Sequence, residues 1–194
     1  MVLLGITYTV SVNTSPINGT SGFLDFDFAP GFDSQGAFVT ITGFSPTAFL
    51  VGAPQVNGDV VGSLATSLTI NNTTAFNDYF QGFDYGNTIS FQLSFGGPAL
   101  VAPNGTSASG STFVFGMFDN TGSNPFLTTD PNGNTFTVDV NLDGTTSVTT
   151  FPSNAQGGAP AATVTATPEP SPFLLVALGL AIGAAVGRFR PRTS

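Results

Sequence analysis

Apolar and polar residues alternate along most of this chain with a period of two, which is the pattern of strands with one buried face. Leu24, Phe26 and Phe28 fall on one side of such a segment, with Asp25 and Asp27 on the other. Ile89, Phe91, Leu93 and Phe95 alternate with Ser and Gln, and Phe136, Val138, Val140 and Leu142 alternate with Thr, Asp and Asn. Further runs begin at Ile6, Ala37, Val60, Leu68 and Thr112, the last reading as a buried strand. No stretch of the body carries helical spacing. Asn18-Gly19, Asn57-Gly58, Asn104-Gly105, Asn132-Gly133 and Asp143-Gly144 punctuate the runs, and such pairs predict type I′ hairpins. Roughly ten short strands are more than one flat sheet accommodates. The pattern predicts an all-β fold: a two-sheet antiparallel β-sandwich, jelly-roll-like, with a Phe-rich core. It is joined to a C-terminal hydrophobic helix.

Four segments follow from this reading. Residues 1–152 form the β domain. Residues 153–171 read as a flexible linker, since Val164 is its one large apolar residue before the tail. Residues 172–187 form the hydrophobic helix and residues 188–194 an arginine-rich end. The helix is carried by Phe173, Leu174, Leu175, Val176, Leu178, Leu180, Ile182 and Val186. Fourteen uncharged residues, 173–186, reach about 21 Å as a helix, short of a full span. The segment lacks a polar face, however, and Arg188, Arg190 and Arg192 follow it at once. Arginine at that place marks a cytoplasmic end, and its long stem extends a short span. A membrane anchor is therefore expected. The first residues carry no positive charge and enter a strand by Ile6, so a signal peptide is expected upstream of the given start.

Composition narrows the chemistry. Charged residues make up 7% of the chain, against about 25% in ordinary domains. His and Cys are absent, no Lys occurs, and the three basic residues are those of the tail. Ten Asp and no basic residue lie in residues 1–168, giving that stretch a net charge of −10. Such a body repels nucleic acid, which needs Lys or Arg to neutralise phosphate. Without His, Cys or Lys it builds no Ser–His, Cys–His or Ser–Lys nucleophile, and no enzymatic activity is expected.

What remains is carboxylate, aromatic and oxygen-ligand chemistry. Asp25 and Asp27 share a face expected to be solvated and both ionised. Asp78 and Asp84, among aromatic residues, are the pair on which an Asp-dependent glycoside hydrolase would rest. Tyr79, Phe83 and Tyr85, with Phe80, are the candidate platform for a sugar. Asp139-Val140-Asn141-Leu142-Asp143-Gly144 matches the opening of a calcium loop. Its twelfth position is Thr150, where a bidentate Glu is needed, and an Asp-Gly hairpin explains the segment better. No cofactor is expected, a structural Ca²⁺ held by Asp and carbonyl oxygens being the one exception the composition admits.

Pro168-Glu169-Pro170, then a short hydrophobic helix, then arginines, resembles the PEP-CTERM sorting signal of Gram-negative bacteria. The resemblance covers about residues 168–192. It implies recognition by exosortase, a membrane transpeptidase-like enzyme, then cleavage near the motif and transfer to the cell surface or extracellular matrix. The body, in residues 21–26 (SGFLDF), 75–83 (AFNDYFQGF), 110–113 (GSTF) and 144–151 (GTTSVTTF), is similar to an uncharacterised family of PEP-CTERM proteins. That likeness implies export and no reaction. The expected partners are exosortase, the membrane and an exopolysaccharide or biofilm matrix. The expected role is structural or adhesive, with a carbohydrate-binding module of the same fold as the alternative.

Overall fold

The computed structural model describes residues 5–47, 49–155 and 157–167. Twelve strands run through them: β1 (Thr7–Asn13), β2 (Ser21–Pro30), β3 (Phe38–Pro46), β4 (Phe49–Asn57), β5 (Val60–Gly62), β6 (Ser67–Asn71), β7 (Asp78–Asp84), β8 (Thr88–Gly96), β9 (Ser111–Asp119), β10 (Asn134–Val140), β11 (Thr146–Thr150) and β12 (Ala162–Thr167). A 3-10 turn at Ser15–Ile17 and one helical turn at Pro98–Val101 are the only helical pieces among the described residues. The strands form two antiparallel six-stranded sheets. The first has the order β12-β1-β8-β3-β6-β5 and the second β11-β10-β9-β2-β7-β4.

The alternation places the core between the sheets. Val10, Val12, Val39, Ile41, Leu68, Ile70, Ile89 and Leu93 are buried from the first sheet, and Leu24, Phe26, Phe28, Phe113, Phe115 and Phe136 from the second. Rings meet across the interface: Phe26 with Phe91 at 5.6 Å, Phe28 with Phe95 at 6.2 Å, Phe115 with Phe91 at 5.5 Å and Phe113 with Phe95 at 6.0 Å. Each such pair adds about 0.5–1.5 kcal/mol beyond the burial of its area. Leu142 departs from the expected face and is 47% exposed, because β10 ends at Val140 and the chain turns there.

The turns depart from the expected type. A type I′ turn needs positive φ at both central residues. In each Asn-Gly or Asp-Gly pair only the glycine has it; Asp33 and Leu127 are the non-glycine residues with positive φ among those described. At the β10–β11 hairpin the Gly144 amide donates to the Asn141 carbonyl at 3.1 Å and the Asn141 amide to the Thr145 carbonyl at 2.8 Å. Gly144 has φ +81°, so this is a type I turn closed by a left-handed glycine.

The segment expected to be a linker is in large part folded. Pro152 pairs with Pro160, Ser153 donates its amide to the Ala159 carbonyl, and Ala161 and Ala162 are buried. β12 then pairs with β1 from Thr7↔Thr167 to Val12↔Ala162. The β domain therefore extends to Thr167 rather than ending at 152. An edge strand needs a backbone ladder and few large side chains, and Thr and Val suit it. Among the described residues no helix is long and apolar enough to cross a membrane. The sorting motif Pro168-Glu169-Pro170, the hydrophobic segment 173–186 and the arginines lie outside the described residues.

Candidate functional site

The outer face of the second sheet holds the unusual chemistry. Register sets its rows. Asp27 stands between Val114 of β9 and Asp78 of β7, with Asn57 of β4 beyond. Asp25 stands between Gly116 and Phe80, with Gln55 beyond. Phe23 stands between Phe118 and Gly82, with Val51 beyond. Three carboxylates are thus neighbours, in a domain without a basic residue to neutralise them. Like charges directly opposite one another on a sheet are destabilising.

This face is not simply solvated, contrary to the expectation for Asp25 and Asp27. The rings of Phe23 and Phe80 stack at 4.6 Å, Phe118 lies 6.3 Å from Phe80, and the turn at Gly122 rests against Phe80 and Phe23. Burial, then a side-chain hydrogen bond with Asp78, then the charges of Asp78 and Asp27 push Asp25 up to about 8. Burial, then the Asp78 charge, pushes Asp27 up to about 6. Burial and the neighbouring carboxylates thus favour the protonated form of Asp25. Asn57 donates its side-chain amide to Oδ2 of Asp78 at 3.1 Å, while Oδ1 of Asp78 and Oδ1 of Asp27 are buried without a hydrogen-bond partner.

The expected aromatic platform does not form. Tyr79, Phe83 and Tyr85 are 1%, 1% and 2% exposed. Their odd positions face the interior, where Phe83 meets Tyr85 at 5.1 Å and Phe44 at 6.2 Å. The Tyr85 hydroxyl donates to the Phe23 carbonyl at 2.6 Å, and burial raises its pKa far above the ordinary range. The Tyr79 hydroxyl donates to Oε1 of Gln81 at 3.3 Å. Of the four aromatics singled out, Phe80 alone faces outward.

The Asp78 and Asp84 pair is also not brought together. Both lie on the outer face of β7, but six residues apart, roughly 20 Å at about 3.3 Å per residue. Glycosidase carboxylates stand about 5–9.5 Å apart. Asp84 instead accepts the Ser21 hydroxyl at 2.6 Å. The Asp25–Asp78 contact is the carboxyl pair that sequence reasoning missed. The alternation marked the outer face for Asp25 and Asp27, but only register sets Asp78 opposite Asp27 and on the row next to Asp25.

The segment 139–144 is a hairpin. Asp139 accepts the Thr112 hydroxyl at 2.6 Å, and Asp143 accepts the Thr145 amide at 2.9 Å and its hydroxyl at 2.6 Å. These donors hold Asp143 below its ordinary range. Asp119 is held lower still by five donors from Thr121, Ser123 and Asn124, which fixes the turn bearing Asn120. Among the described residues no three acidic side chains are set as metal ligands.

Recesses open on this sheet. A groove of about 220 Å³ has Gly82 as its floor, Phe23 and Val51 as walls, and Ser21, Asp84 and Asn120 at one end. A Cβ at Gly82 would stand 2.5 Å from the Val51 carbonyl oxygen, so the close approach of β4 requires glycine there. A broader recess of about 420 Å³ lies between the end of β2 and the β10–β11 hairpin, lined by Gly31, Ser109, Asp139 and Asn141. Comparison with protein-family models, curated proteins and solved structures finds no significant match to this chain.

Proposed function

We propose that this chain is an exported cell-surface or extracellular-matrix protein, delivered by exosortase, whose β domain has a structural or adhesive role beside exopolysaccharide. The observation that carries the reading is the order of parts at the C-terminus. Pro168-Glu169-Pro170, the apolar segment 173–186 and the three arginines follow in sequence. The motif begins directly after Thr167, the last residue of β12. A processing enzyme acting at the motif would therefore work directly next to the end of edge strand β12. In this reading the hydrophobic segment tethers the protein to the inner membrane until it is cleaved.

The β domain reads as a jelly roll. In one sheet β8 lies between β1 and β3, with β6 next to β3; in the other β7 lies between β2 and β4. This nesting of early strands against late ones supports that architecture. No catalytic role is assigned. The body is acidic throughout, which disfavours nucleic acid. Intact mass and fractionation of the native protein, with and without the host's exosortase, tests the proposal. Loss of the mass beyond the Pro168 region, with release to the surface fraction, is expected only when the enzyme is present. A full-length tail in a cytosolic fraction would overturn it.

A second reading, a saccharide-binding module of the same fold, is favoured by the groove over Gly82. It pairs an aromatic wall with a polar end, which the buried rings of Tyr79, Phe83 and Tyr85 do not offer.

A further inference from the structure

We propose that the groove over Gly82 is a binding subsite for a single uncharged sugar ring of an extracellular polysaccharide, with Phe23 as its stacking wall and Asp84 and Asn120 as its hydroxyl partners. The proposal rests on the saccharide-binding reading and gives it a place. Phe80 covers one face of the Phe23 ring, stacked at 4.6 Å and 14°, and Phe23 rather than Phe80 lines the groove. The stack holds the Phe23 ring in place beside the recess. Val51, 46% exposed on the edge strand β4, forms the facing wall. Gly82 lies between them, and its lack of a side chain lets the Val51 backbone of β4 pack close beside it. A volume of about 220 Å³ is below the ~300–1,000 Å³ of pockets for drug-sized ligands, so it suits one ring rather than a larger cofactor.

The polar end selects the ligand. Ser21 donates to Oδ1 of Asp84 and so orients that carboxylate, leaving Oδ2 to accept a hydroxyl. Asn120 supplies both a donor and an acceptor and sits on the turn held by Asp119. Phe49, 75% exposed, stands beside Asp84 in register and extends the apolar surface toward the sheet edge. No Lys, Arg or His occurs among the described residues, so uronate, sulfate or phosphate groups find no counter-charge and meet Asp84 instead. Stacking on the apolar face of a pyranose, with hydroxyls accepted by a carboxylate, is the chemistry that remains.

The test is affinity electrophoresis of the full chain through gels holding a neutral glucan, mannan or galactan, with alginate as the anionic probe. Retardation by at least one neutral polymer and none by alginate is expected. Asp84→Ala, Asn120→Ala and Phe23→Leu should each weaken that retardation about tenfold, the scale of one lost contact. Circular dichroism and thermal melting establish that each variant is folded, and the two polar, surface-facing substitutions keep the test open if Phe23→Leu unfolds. No retardation of the wild type by any neutral polymer defeats the saccharide reading itself. Retardation that all three folded variants retain places the sugar elsewhere and defeats the groove alone. Equal retardation by alginate defeats the selection for uncharged rings.

Discussion

Replacing Asp25 by Asn should stabilise the domain at alkaline pH and leave it nearly unchanged in acid. Asp25 is pushed from 3.8 up to about 8 by burial and by Asp78. The native chain therefore keeps a proton that the unfolded chain has lost. Below about pH 4 both states are protonated and the penalty is absent. As pH rises from about 4 to about 8 the unfolded state gains an ionised, well-hydrated carboxylate, so stability falls; above about 8 the loss is complete. A shift of about 4 units at 1.36 kcal/mol each sets an upper figure of about 6 kcal/mol. Partial exposure of the outer face brings this to roughly 3 kcal/mol. Asp27, raised to about 6, adds a smaller loss of the same sign between about pH 4 and 6. Asn keeps a side-chain donor for Asp78 and cannot ionise. In thermal melts from pH 4 to 9, the Asp25→Asn variant should melt roughly 6–12 °C above wild type at pH 9, and the gap should close by pH 4. The lowered carboxylates Asp119 and Asp143 act in the opposite sense, losing stabilisation as pH falls through their range, and they cancel in the comparison because both proteins carry them. Parallel pH profiles for the two proteins would refute the shared-proton account.

Other consequences follow from single contacts. Phe91→Ala removes a ring that meets Phe26, Phe44, Phe115 and Phe136, and should cost about 3–5 kcal/mol in urea unfolding. Asn77 is fully buried; its amide donates to the Phe28 and Thr74 carbonyls and its oxygen accepts the Asp59 amide, so Asn77→Ala should cost about 2–3 kcal/mol by the same measurement. Truncation after Pro152 strips β12 from β1 and should lower the melting temperature, whereas truncation after Thr167 should leave it unchanged; equal melting of the two would show that β12 contributes nothing. Gly82→Ala should destabilise the β4–β7 pairing, seen as faster amide exchange at Val51 and Gly82, since its Cβ would collide with the Val51 carbonyl.

Local pattern alone determined a good deal about this protein. Alternation at Leu24, Phe26 and Phe28, and again from Ile89 to Phe95, is enough to place those residues inside, because successive side chains of a strand point to opposite faces. The absence of His, Cys and Lys limits the chemistry whatever the fold. The pattern failed where a partner distant in sequence decides the outcome. Asp25 and Asp27 were legible as outward-facing, but their environment depends on Asp78, some fifty residues away, and on Phe80, which stands beside Asp25 in register. Tyr79, Phe83 and Tyr85 read as a cluster, and only the parity of β7 within its sheet turned them inward. Residues 162–167 lack the apolar content that announces a strand; they are ordered because β1 offers an open backbone edge. Side-chain periodicity is written residue by residue, whereas register and edge pairing arise only when segments meet, and it is register that places three carboxylates side by side and opens a groove over Gly82.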